Sequence, residues 1–418
     1  MNFDTKTIEE VTETLIDYRG ATPEKTTSGV HLVTAKVIKG GYILNSNPEF
    51  IAEENYDAWM RRGLPEREDI LITTEAPLGE MAMIRTNDKI ALAQRVILLR
   101  GDESVIDQKF YFQALKSSFV QAELYARSSG TTVAGIKQSE LRKVRIPIYS
   151  LPVQRKIAVV LSAYDDLIEN NARRISILEE MAAALYREWF VEFRFPGHEN
   201  VPMVESKLGL VPQGWQWKKL GDLYETSSGG TPSRKNKEFF DGNINWLKTQ
   251  ELQDNLIFET QENITESGLK NSSAKVFPKG SVVVAMYGAT IGQLGILGEA
   301  STTNQACCAL LQRSKPFSYS YAFWDLKTRR SQLIDLRIGA AQQNISQNII
   351  KEFPMLAPPV GLVERFNCFV APLLENIGSL QKRKALLRQT RDLLLPCLIS
   401  GEVDVSQLDI AGAQETDA

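Results

Sequence analysis

The sequence predicts an α+β protein in which two mixed α/β domains form a pseudo-two-fold repeat, separated by two long helices that make an antiparallel coiled coil. A Thr-Pro pair at Thr22 recurs at Thr231, 209 residues later in a chain of 418. The loop-like segment 129–136 recurs at 338–345 with the same offset. Solenoid repeats are only about 20–50 residues long. A period of half the chain therefore predicts a duplicated globular unit, whose target is expected to have two halves.

A heptad pattern follows each copy, and it predicts the two long helices. Apolar positions alternate by four and three residues, which is the spacing of a coiled-coil seam. The first seam comprises Ile157, Leu161, Tyr164, Ile168, Asn171, Ile175, Leu178, Ala182, Leu185 and Trp189. The second comprises Phe366, Val370, Leu373, Ile377, Leu380, Lys384, Leu387, Arg391, Leu394 and Leu398. Each seam requires a helix of about 40 residues, which spans about 60 Å at about 1.5 Å per residue. Because a whole domain lies between the two helices in the chain, we expect them to pack antiparallel, with homodimerisation through the seams as the alternative.

Three polar residues interrupt these seams. Asn171 is expected to fix the register of the helices at some cost in stability. Lys384 and Arg391 either extend their charged groups to solvent or mark a point where the helices separate. We favour separation near the C-terminal end of the second helix.

Local patterns predict similar elements in both copies. Strands are expected at 69–72 and 96–99 and again at 281–284, and helices at 6–18, 108–125 and 319–335. The resulting domain boundaries are 1–150 for the first domain, 151–200 for the first long helix, 201–357 for the second domain, 358–405 for the second long helix and C-terminal segment, and 406–418 for a disordered tail.

Composition predicts a soluble, cytoplasmic protein. The chain is 43% hydrophobic and 24% charged, and it has neither a run of about 18 apolar residues nor a cationic, apolar leader. Its four cysteines form no Cys-x-x-Cys pair, which favours reduced, buried thiols.

The charge distribution limits how the chain can bind nucleic acid. The net charge is −3, with −2 over residues 1–150 and +3 over residues 201–357. Neither domain has the strong basic excess of a protein that binds DNA by electrostatics alone. Binding of DNA would have to rely on individually placed side chains or on a partner that supplies positive charge.

Motifs for catalysis are missing from the sequence. There is no phosphate-binding G-x-x-x-x-G-K-[ST] loop, no dinucleotide-binding G-x-G-x-x-G and no Asp/Asn-Pro-Pro-aromatic motif of amino-methyltransferases. The two histidines, His31 and His198, lie in no metal-binding pattern. We therefore expect a non-enzyme that has no metal and no cofactor of its own.

Specific motifs connect nearly the whole chain to a known family. In the first copy they lie at residues 50–54, 59–65, 69–79 and 91–95, and in the second at 229–232, 244–248, 287–292 and 344–346. The strongest is the helix end at 393–405. With these motifs the chain resembles the specificity subunit of type I restriction–modification systems, although Pro396 departs from the family's pattern and is expected to loosen the last turn.

The resemblance implies a function and a set of partners. Each globular copy would be a target recognition domain for one half of a bipartite site in double-stranded DNA, and the coiled coil would set the length of the unread spacer. Two modification subunits, which carry S-adenosylmethionine and methylate adenine, would dock on this chain. Restriction subunits that hydrolyse ATP would join them in host defence.

Side chains that recognise bases are expected on loops and should carry groups capable of bidentate hydrogen bonding. The candidates in the first domain are Lys25, Lys36, Lys39, Tyr42, Asn45, Arg61, Arg62 and Arg95. Those in the second domain are Ser233, Arg234, Lys235, Lys237, Trp246, Lys248, Thr249, Gln250, Tyr287, Gln342, Gln343 and Asn344. Trp246 and Tyr287 would equally fit a hydrophobic core, and the two adjacent arginines would equally fit a solvated helix face. The Gly-Thr-Pro and Gly-Ala-Thr-Ile-Gly elements are expected to shape loops.

One function of another class remains open. A coiled-coil scaffold with duplicated protein-binding domains would also explain two copies and an acidic net charge. Salt-dependent binding to duplex DNA distinguishes the two functions, because neutralising phosphates releases counterions.

Overall fold

A computed structural model describes residues 4–18, 22–44, 47–130, 133–313, 317–337 and 344–410. The chain divides into two compact units. Unit 1 comprises Met1–Asn170 and Lys384–Ala418, and unit 2 comprises Asn171–Arg383. The division runs through both long helices, so each unit contains a globular part together with a stretch of each helix.

Unit 1 contains eleven strands and the start of the first long helix among its described residues. The strands are β1 (Asp4–Thr7), β2 (Thr12–Asp17), β3 (Val30–Val33), β4 (Ile38–Lys39), β5 (Tyr42–Ile43), β6 (Glu49–Ile51), β7 (Ile70–Thr74), β8 (Leu78–Met83), β9 (Ile90–Leu92), β10 (Val96–Gly101) and β11 (Arg145–Ile148). The helices are α1 (Ile8–Val11), α2 (Tyr56–Trp59), α3 (Gln108–Lys116), α4 (Ser118–Ala126), α5 (Gln138–Leu141) and α6 (Leu151–Tyr186), with 3-10 turns at Ala35–Val37 and Glu53–Asn55.

The central sheet of unit 1 is buried on both faces. Its four antiparallel strands have the order β2-β10-β7-β8. Ile70 and Ile72 face a core that contains α3 and α4, whereas Leu71 faces a second core that contains the three-stranded sheet β6-β3-β9. Successive side chains of a strand point to opposite faces, so a strand covered on both sides needs an unbroken apolar run. This explains the apolar run around residues 70–72.

Unit 2 repeats this arrangement. Its strands are β12 (Met203–Ser206), β13 (Gly209–Pro212), β14 (Gln216–Lys219), β15 (Tyr224–Ser228), β16 (Phe240–Leu247), β17 (Asn255–Ile257), β18 (Asn263–Ile264), β19 (Val276–Phe277), β20 (Val282–Ala285), β21 (Leu294–Leu297), β22 (Ser301–Thr303), β23 (Cys307–Gln312) and β24 (Pro354–Ala357). The helices that lie or begin in it are α7 (Leu220–Leu223), α8 (Glu266–Lys270), α9 (Tyr319–Thr328), α10 (Arg330–Asp335), α11 (Gln347–Glu352) and α12 (Val360–Ile399), and α12 continues into unit 1 after Arg383. Single turns of 3-10 helix lie at His198–Asn200, Lys237–Phe239, Thr249–Glu251 and Gly288–Thr290.

The sheet topology confirms the internal duplication. The order β15-β23-β20-β21-β17 in unit 2 matches β2-β10-β7-β8 in unit 1, with one added strand. In each unit a second sheet contains one parallel pair, β3 with β9 and β16 with β22. The strand pattern at 281–284 and the helical patterns at 108–125 and 319–335 are confirmed. Each helical pattern is split in two, and the break lies at Ser117 in unit 1 and at Arg329 in unit 2.

The long helices contribute to the core of both units. α6 has 36 residues and continues as a π-helical turn at Arg187–Val191, and α12 has 40 residues and continues past Pro396 to Ile399. All the predicted seam residues are buried or partly buried. In unit 1 the early part of α6 shares a core cluster with the late part of α12, and in unit 2 the late part of α6 shares one with the early part of α12.

Within unit 1, Arg391 does not mark a separation of the helices, so that prediction was wrong. Its guanidinium donates to the Asp165 carboxylate of α6 at 2.6 Å, and both residues are buried. Asp165 also accepts from Gln113 of α3 at 2.7 Å, and Lys116 lies 3.7 Å away. The cation is kept at an apolar seam because it pairs with the carboxylates of Asp165 and Asp392.

Two further expectations need correction. The single helix predicted over residues 6–18 is not observed. The one-turn helix α1 lies between β1 and β2, and β2 pairs with β10. The predicted tail is ordered as far as residue 410. Lys156 donates to the Ser406 carbonyl at 2.8 Å, and Ile410 packs against the unit 1 core. The remaining residues, 411–418, lie outside the described part of the chain.

The cysteines are free, but only two match the expected burial. Cys307 and Cys308 are buried, Cys368 is exposed and Cys397 is intermediate. Among the described helices, none is both long and apolar enough to cross a membrane.

Candidate nucleic-acid interface

In unit 2, several strands end at the same edge of the fold. β15 and β20 end beside the start of β23, where Ser228 pairs with Cys308 and Ala285 with Cys307. The parallel strands β16 and β22 end together, and the Asn304 amide donates to the Leu247 carbonyl at 2.9 Å. The loops that leave these strands are therefore neighbours. We call residues 229–238, 248–251, 286–290 and 304–306 the unit 2 loop edge.

Two glycines let the first of these loops lie close to β22 and to the segment that precedes β19. A Cβ on Gly229 would lie 2.1 Å from the Thr303 hydroxyl oxygen, and one on Gly230 would lie 2.3 Å from the carbonyl carbon of Ser273. Atoms cannot approach so closely, so a side chain at either position would displace the loop. These contacts support the expectation that the Gly-Gly-Thr-Pro element shapes the loop.

Trp246 lies in the core behind this loop, so its predicted contact with DNA is corrected. The ring is 2% exposed, and its Nε1 donates to the Gly230 carbonyl at 2.9 Å. The Arg234 guanidinium carbon lies 5.0 Å from the Trp246 ring centroid and 4.5 Å from that of Phe240. Cations within about 6 Å of an aromatic face are attracted to it. Trp246 therefore supports Arg234 from behind.

A carboxylate joins the two main cations of the unit 2 loop edge. Glu262 accepts a hydrogen bond from Arg234 Nη1 on Oε2 at 2.6 Å and one from Lys248 Nζ on Oε1 at 2.7 Å. These two hydrogen bonds hold the pKa of the Glu262 carboxyl below its usual value. The Arg234 side chain is still 54% exposed, so it is oriented and also accessible.

The other unit 2 candidates lie on or beside this edge where the structure describes them. Ser233, Lys235, Lys237 and Gln250 are exposed, and Thr249 is partly buried. Tyr287 is 42% exposed and pairs through its backbone with the partly buried Asn344. Gln342 and Gln343 lie outside the described residues.

Unit 1 has the same kind of edge. β2 ends beside the start of β10, the Thr74 amide at the end of β7 donates to the Arg95 carbonyl at 3.0 Å, and the Ala93 amide donates to the Val33 carbonyl at 3.0 Å. We call residues 17–18, 34–36, 75–77 and 93–95 the unit 1 loop edge. It borders an open cavity of about 430 Å³ whose lining includes Arg95 and Lys137.

An arginine on an aromatic support also occurs in unit 1. The Arg62 guanidinium lies 5.6 Å from the Tyr18 ring centroid, and its Nη1 donates to the Asp17 carbonyl. Tyr18 stacks on Trp59 with a centroid distance of 5.5 Å. Trp59 Nε1 donates to the Leu92 carbonyl at 3.0 Å, as Trp246 does to a loop carbonyl in unit 2. Each unit thus holds an arginine over a tryptophan-backed surface, Arg234 within the unit 2 loop edge and Arg62 against Asp17 of the unit 1 loop edge.

The remaining unit 1 candidates are more dispersed. Arg61, Lys36 and Lys39 are exposed, and Lys36 belongs to the loop edge. Lys25 pairs with Glu49 at 2.6 Å, and Arg95 pairs with Glu75 at 3.0 Å. Asn45 lies outside the described residues.

Tyr42 is not at the unit 1 loop edge, which corrects its assignment as a DNA contact. Its hydroxyl donates to the Asp165 carbonyl of α6 at 3.3 Å, and the Arg85 guanidinium lies 5.1 Å from its ring. Burial and the Asp165 charge raise the pKa of Tyr42. The ring therefore attaches the β4–β5 hairpin to the long helix.

The residues that support these cations were not predicted from the sequence. Tyr18, Phe240 and Glu262 each contact a cation that was a candidate, and Trp59 stacks on Tyr18, but none of these four was a candidate. The Trp-Met-Arg-Arg motif at Trp59 was the available signal. Within the described part of the chain, no group of His, Cys, Asp and Glu side chains is arranged to hold a metal ion.

Comparisons with known proteins agree with this architecture. The type I restriction modification DNA specificity domain matches residues 2–180 and 212–361. The chain is 27% identical over 341 residues to the type I restriction enzyme MjaIX specificity subunit of Methanocaldococcus jannaschii, covering 81% of this chain and 78% of that protein. It is 24% identical over 377 residues to the HindI specificity subunit of Haemophilus influenzae, covering 76% and 82%.

A solved structure has the same fold. The type I restriction–modification S subunit from M. genitalium superposes with a TM-score of 0.57 at 17% identity, over 95% of this chain and 96% of that one. The domain match covers well over half of the sequence, and both copies fall within it. The chain belongs to the type I restriction–modification DNA specificity family.

Proposed function

We propose that this chain gives a type I restriction–modification complex its sequence specificity, with one half of a bipartite DNA site recognised by the globular part of each unit. The observation that carries the proposal is the duplicated loop edge. Each copy holds an exposed arginine over a tryptophan-backed aromatic surface; Arg234 follows β15 in the chain, and Arg62 follows α2 but contacts the end of β2, the strand equivalent to β15. A guanidinium held in a fixed orientation suits bidentate recognition of guanine in the major groove.

The long helices are proposed to form an antiparallel coiled coil that sets the spacer between the half-sites. The support is the burial of both seams and the pairing of early α6 with late α12 in unit 1, and of late α6 with early α12 in unit 2. A helix of 40 residues is about 60 Å long. That exceeds the 34–36 Å or so that separates two sites one turn apart on the duplex.

The partners supply the chemistry in this proposal. Two methyltransferase subunits dock on the chain and bring S-adenosylmethionine, and restriction subunits bring ATP hydrolysis, while this chain is non-catalytic and binds no cofactor. Several loop-edge cations are already neutralised by a carboxylate, as with Arg95 and Glu75. Partner subunits would therefore provide much of the positive charge that holds the phosphates. We expect the complex to act in the cytoplasm.

Domain replacement tests the proposal. Residues 1–150 are exchanged for the corresponding domain of another family member, the hybrid is produced with its methyltransferase subunits, and methylated sites are mapped across a genome. We expect one half of the recognised sequence to change and the other to remain. Replacing residues 201–357 should change the opposite half. A change in both halves after either exchange would refute the division of labour.

A further inference from the structure

Glu262 has a position that the proposed function does not explain. It lies among the cations of the unit 2 loop edge, where a carboxylate should repel DNA phosphates. Its backbone is fixed, because its carbonyl accepts from the Trp246 amide at 3.2 Å and from the Thr260 hydroxyl at 2.8 Å. The side chain is 32% exposed, and each of its oxygens contacts a different cation. The carboxylate is thus held at the surface where the bases would be recognised.

We infer that Glu262 is a specificity-determining residue that weakens the attraction of Arg234 and Lys248 for DNA of the wrong sequence. The carboxylate neutralises both cations in the free protein, so a phosphate that contacts them gains less charge attraction unless it displaces Glu262. A phosphate offers acceptors alone, so it repels the Glu262 carboxylate and supplies no donor in exchange. This inference rests on the proposed function and assigns a role within the same site.

A correct base pair can give the Glu262 carboxylate a hydrogen-bond donor, which a phosphate cannot. The amino groups of cytosine and adenine are donors in the major groove, and a carboxylate can accept from them. At a matching site Glu262 therefore exchanges its cations for a base amino group, while Arg234 turns to a base edge. At a non-specific site no base amino group donates to Glu262, so the repulsion between the carboxylate and the phosphates is not offset. The carboxylate lowers affinity for all DNA but lowers it most for the wrong sequence.

The neighbouring segment provides a matched control. Glu259 lies three positions earlier in the chain and is exposed, and Glu259→Gln makes the same change in net charge as Glu262→Gln. Glu262→Asp keeps the charge but is one methylene shorter, so it lengthens both contacts. The three variants separate the loss of this particular ion pair from a general change in charge.

The test measures binding by the full chain assembled with its methyltransferase subunits. Duplexes containing the mapped site and duplexes of random sequence are titrated across a range of salt concentrations. Glu262→Gln should raise affinity for random DNA by about 5- to 10-fold at low salt, and the slope of log affinity against log salt should steepen by about 1 as one more phosphate is neutralised. The ratio of specific to non-specific affinity should fall. Glu262→Asp should be intermediate, and Glu259→Gln should keep the wild-type ratio.

The outcomes separate this inference from the proposed function. A Glu262→Gln complex that melts like wild type and keeps or increases the specificity ratio overturns the inference alone. An equal fall in the ratio for Glu259→Gln also overturns it, because net charge would then suffice. A wild-type complex without salt-dependent, sequence-specific binding overturns the proposed function, and the inference with it.

Discussion

Replacing Asp165 by asparagine tests whether the buried charge cluster stabilises unit 1. Asp165 is 3% exposed and accepts from Arg391 at 2.6 Å and from Gln113 at 2.7 Å, with Lys116 at 3.7 Å. The substitution preserves the shape of the side chain and removes its charge. Arg391 would keep only Asp392 as a counter-ion, and the side chain of Asp392 is 61% exposed. Lys116 would remain as a largely buried cation that has lost its contact with the Asp165 carboxylate.

The expected loss is about 3–5 kcal/mol of unfolding free energy, the range found when one partner of a buried ion pair is removed. Arg391→Met should cost less, about 1–3 kcal/mol, because Asp165 then keeps both Lys116 and the amide of Gln113. The predicted order follows from the number of groups that each change leaves without a counter-ion. Two cations lose a partner in the first variant, and one carboxylate loses part of its partners in the second.

Urea unfolding of the purified chain measures the loss, and hydrogen exchange over α3 and the C-terminal part of α12 shows that it arises in unit 1. Asp166→Asn is the matched control. That carboxylate lies on the same helix, is 73% exposed and is 3.6 Å from Arg85, so its loss should cost no more than about 1 kcal/mol. Equal effects of the two asparagine variants would refute the argument.

The pH dependence gives an independent check on Asp165. Burial raises the pKa of its carboxyl, but Lys116, Arg391 and Gln113 more than offset this, so the pKa lies below its ordinary value of 3.8. A carboxyl with a lowered folded-state pKa stabilises the protein above its unfolded-state pKa, and the stabilisation is lost as the pH falls through the folded-state pKa. The difference between wild type and Asp165→Asn should therefore be constant above about pH 5 and shrink below about pH 4.

Three other predictions concern unit 2. Arg234→Ala should weaken binding by about 1–3 kcal/mol and relax selectivity in one half-site, measured by binding to site variants; an equal loss on every sequence would make it a phosphate contact. Gly230→Ala should lower the melting temperature, because its Cβ would lie 2.3 Å from the carbonyl carbon of Ser273. Alkylation at pH 8, followed by mass spectrometry, should modify Cys368 well before Cys308, since Cys368 is exposed and burial raises the pKa of the Cys308 thiol to about 12.

Each of these predictions has an internal control. Lys207→Ala removes an exposed cation of unit 2 that lies outside the loop edge and should leave base selectivity unchanged. Gly361→Ala introduces a Cβ with nothing within 4 Å and should leave the melting temperature close to that of wild type. Rapid modification of Cys308 in the folded protein would contradict the burial of the β23 thiols.

The duplication and the two helical seams were predictable because each produces a regular spacing of residues in the sequence. The strands β7 and β20 were likewise predictable from their apolar runs, since a strand covered on both faces has no alternating polar residues. The helix expected at 6–18 was wrong because tertiary pairing of β2 with β10 outweighed an amphipathic spacing. Local periodicity does not contain that information.

The roles of individual side chains were less predictable. Tyr42 and Trp246 have the chemistry of DNA contacts, but packing against α6 and behind Arg234 decides what they do. Glu262 was missed because acidic side chains were not considered as base readers, and its two cations lie on other loops. Arg391 was misjudged because its partner Asp165 lies on the other long helix.

Lengthening both helices together is the most direct test of the central claim. Seven residues that continue the heptad are inserted after Ile175 in α6 and after Ile377 in α12, two residues of the same core cluster. Each helix gains about 10 Å at 1.5 Å per residue. With base pairs about 3.4 Å apart, methylation mapping should find the same two half-sites separated by a spacer up to about three base pairs longer. Methylation at the original spacing by the lengthened protein would contradict the account.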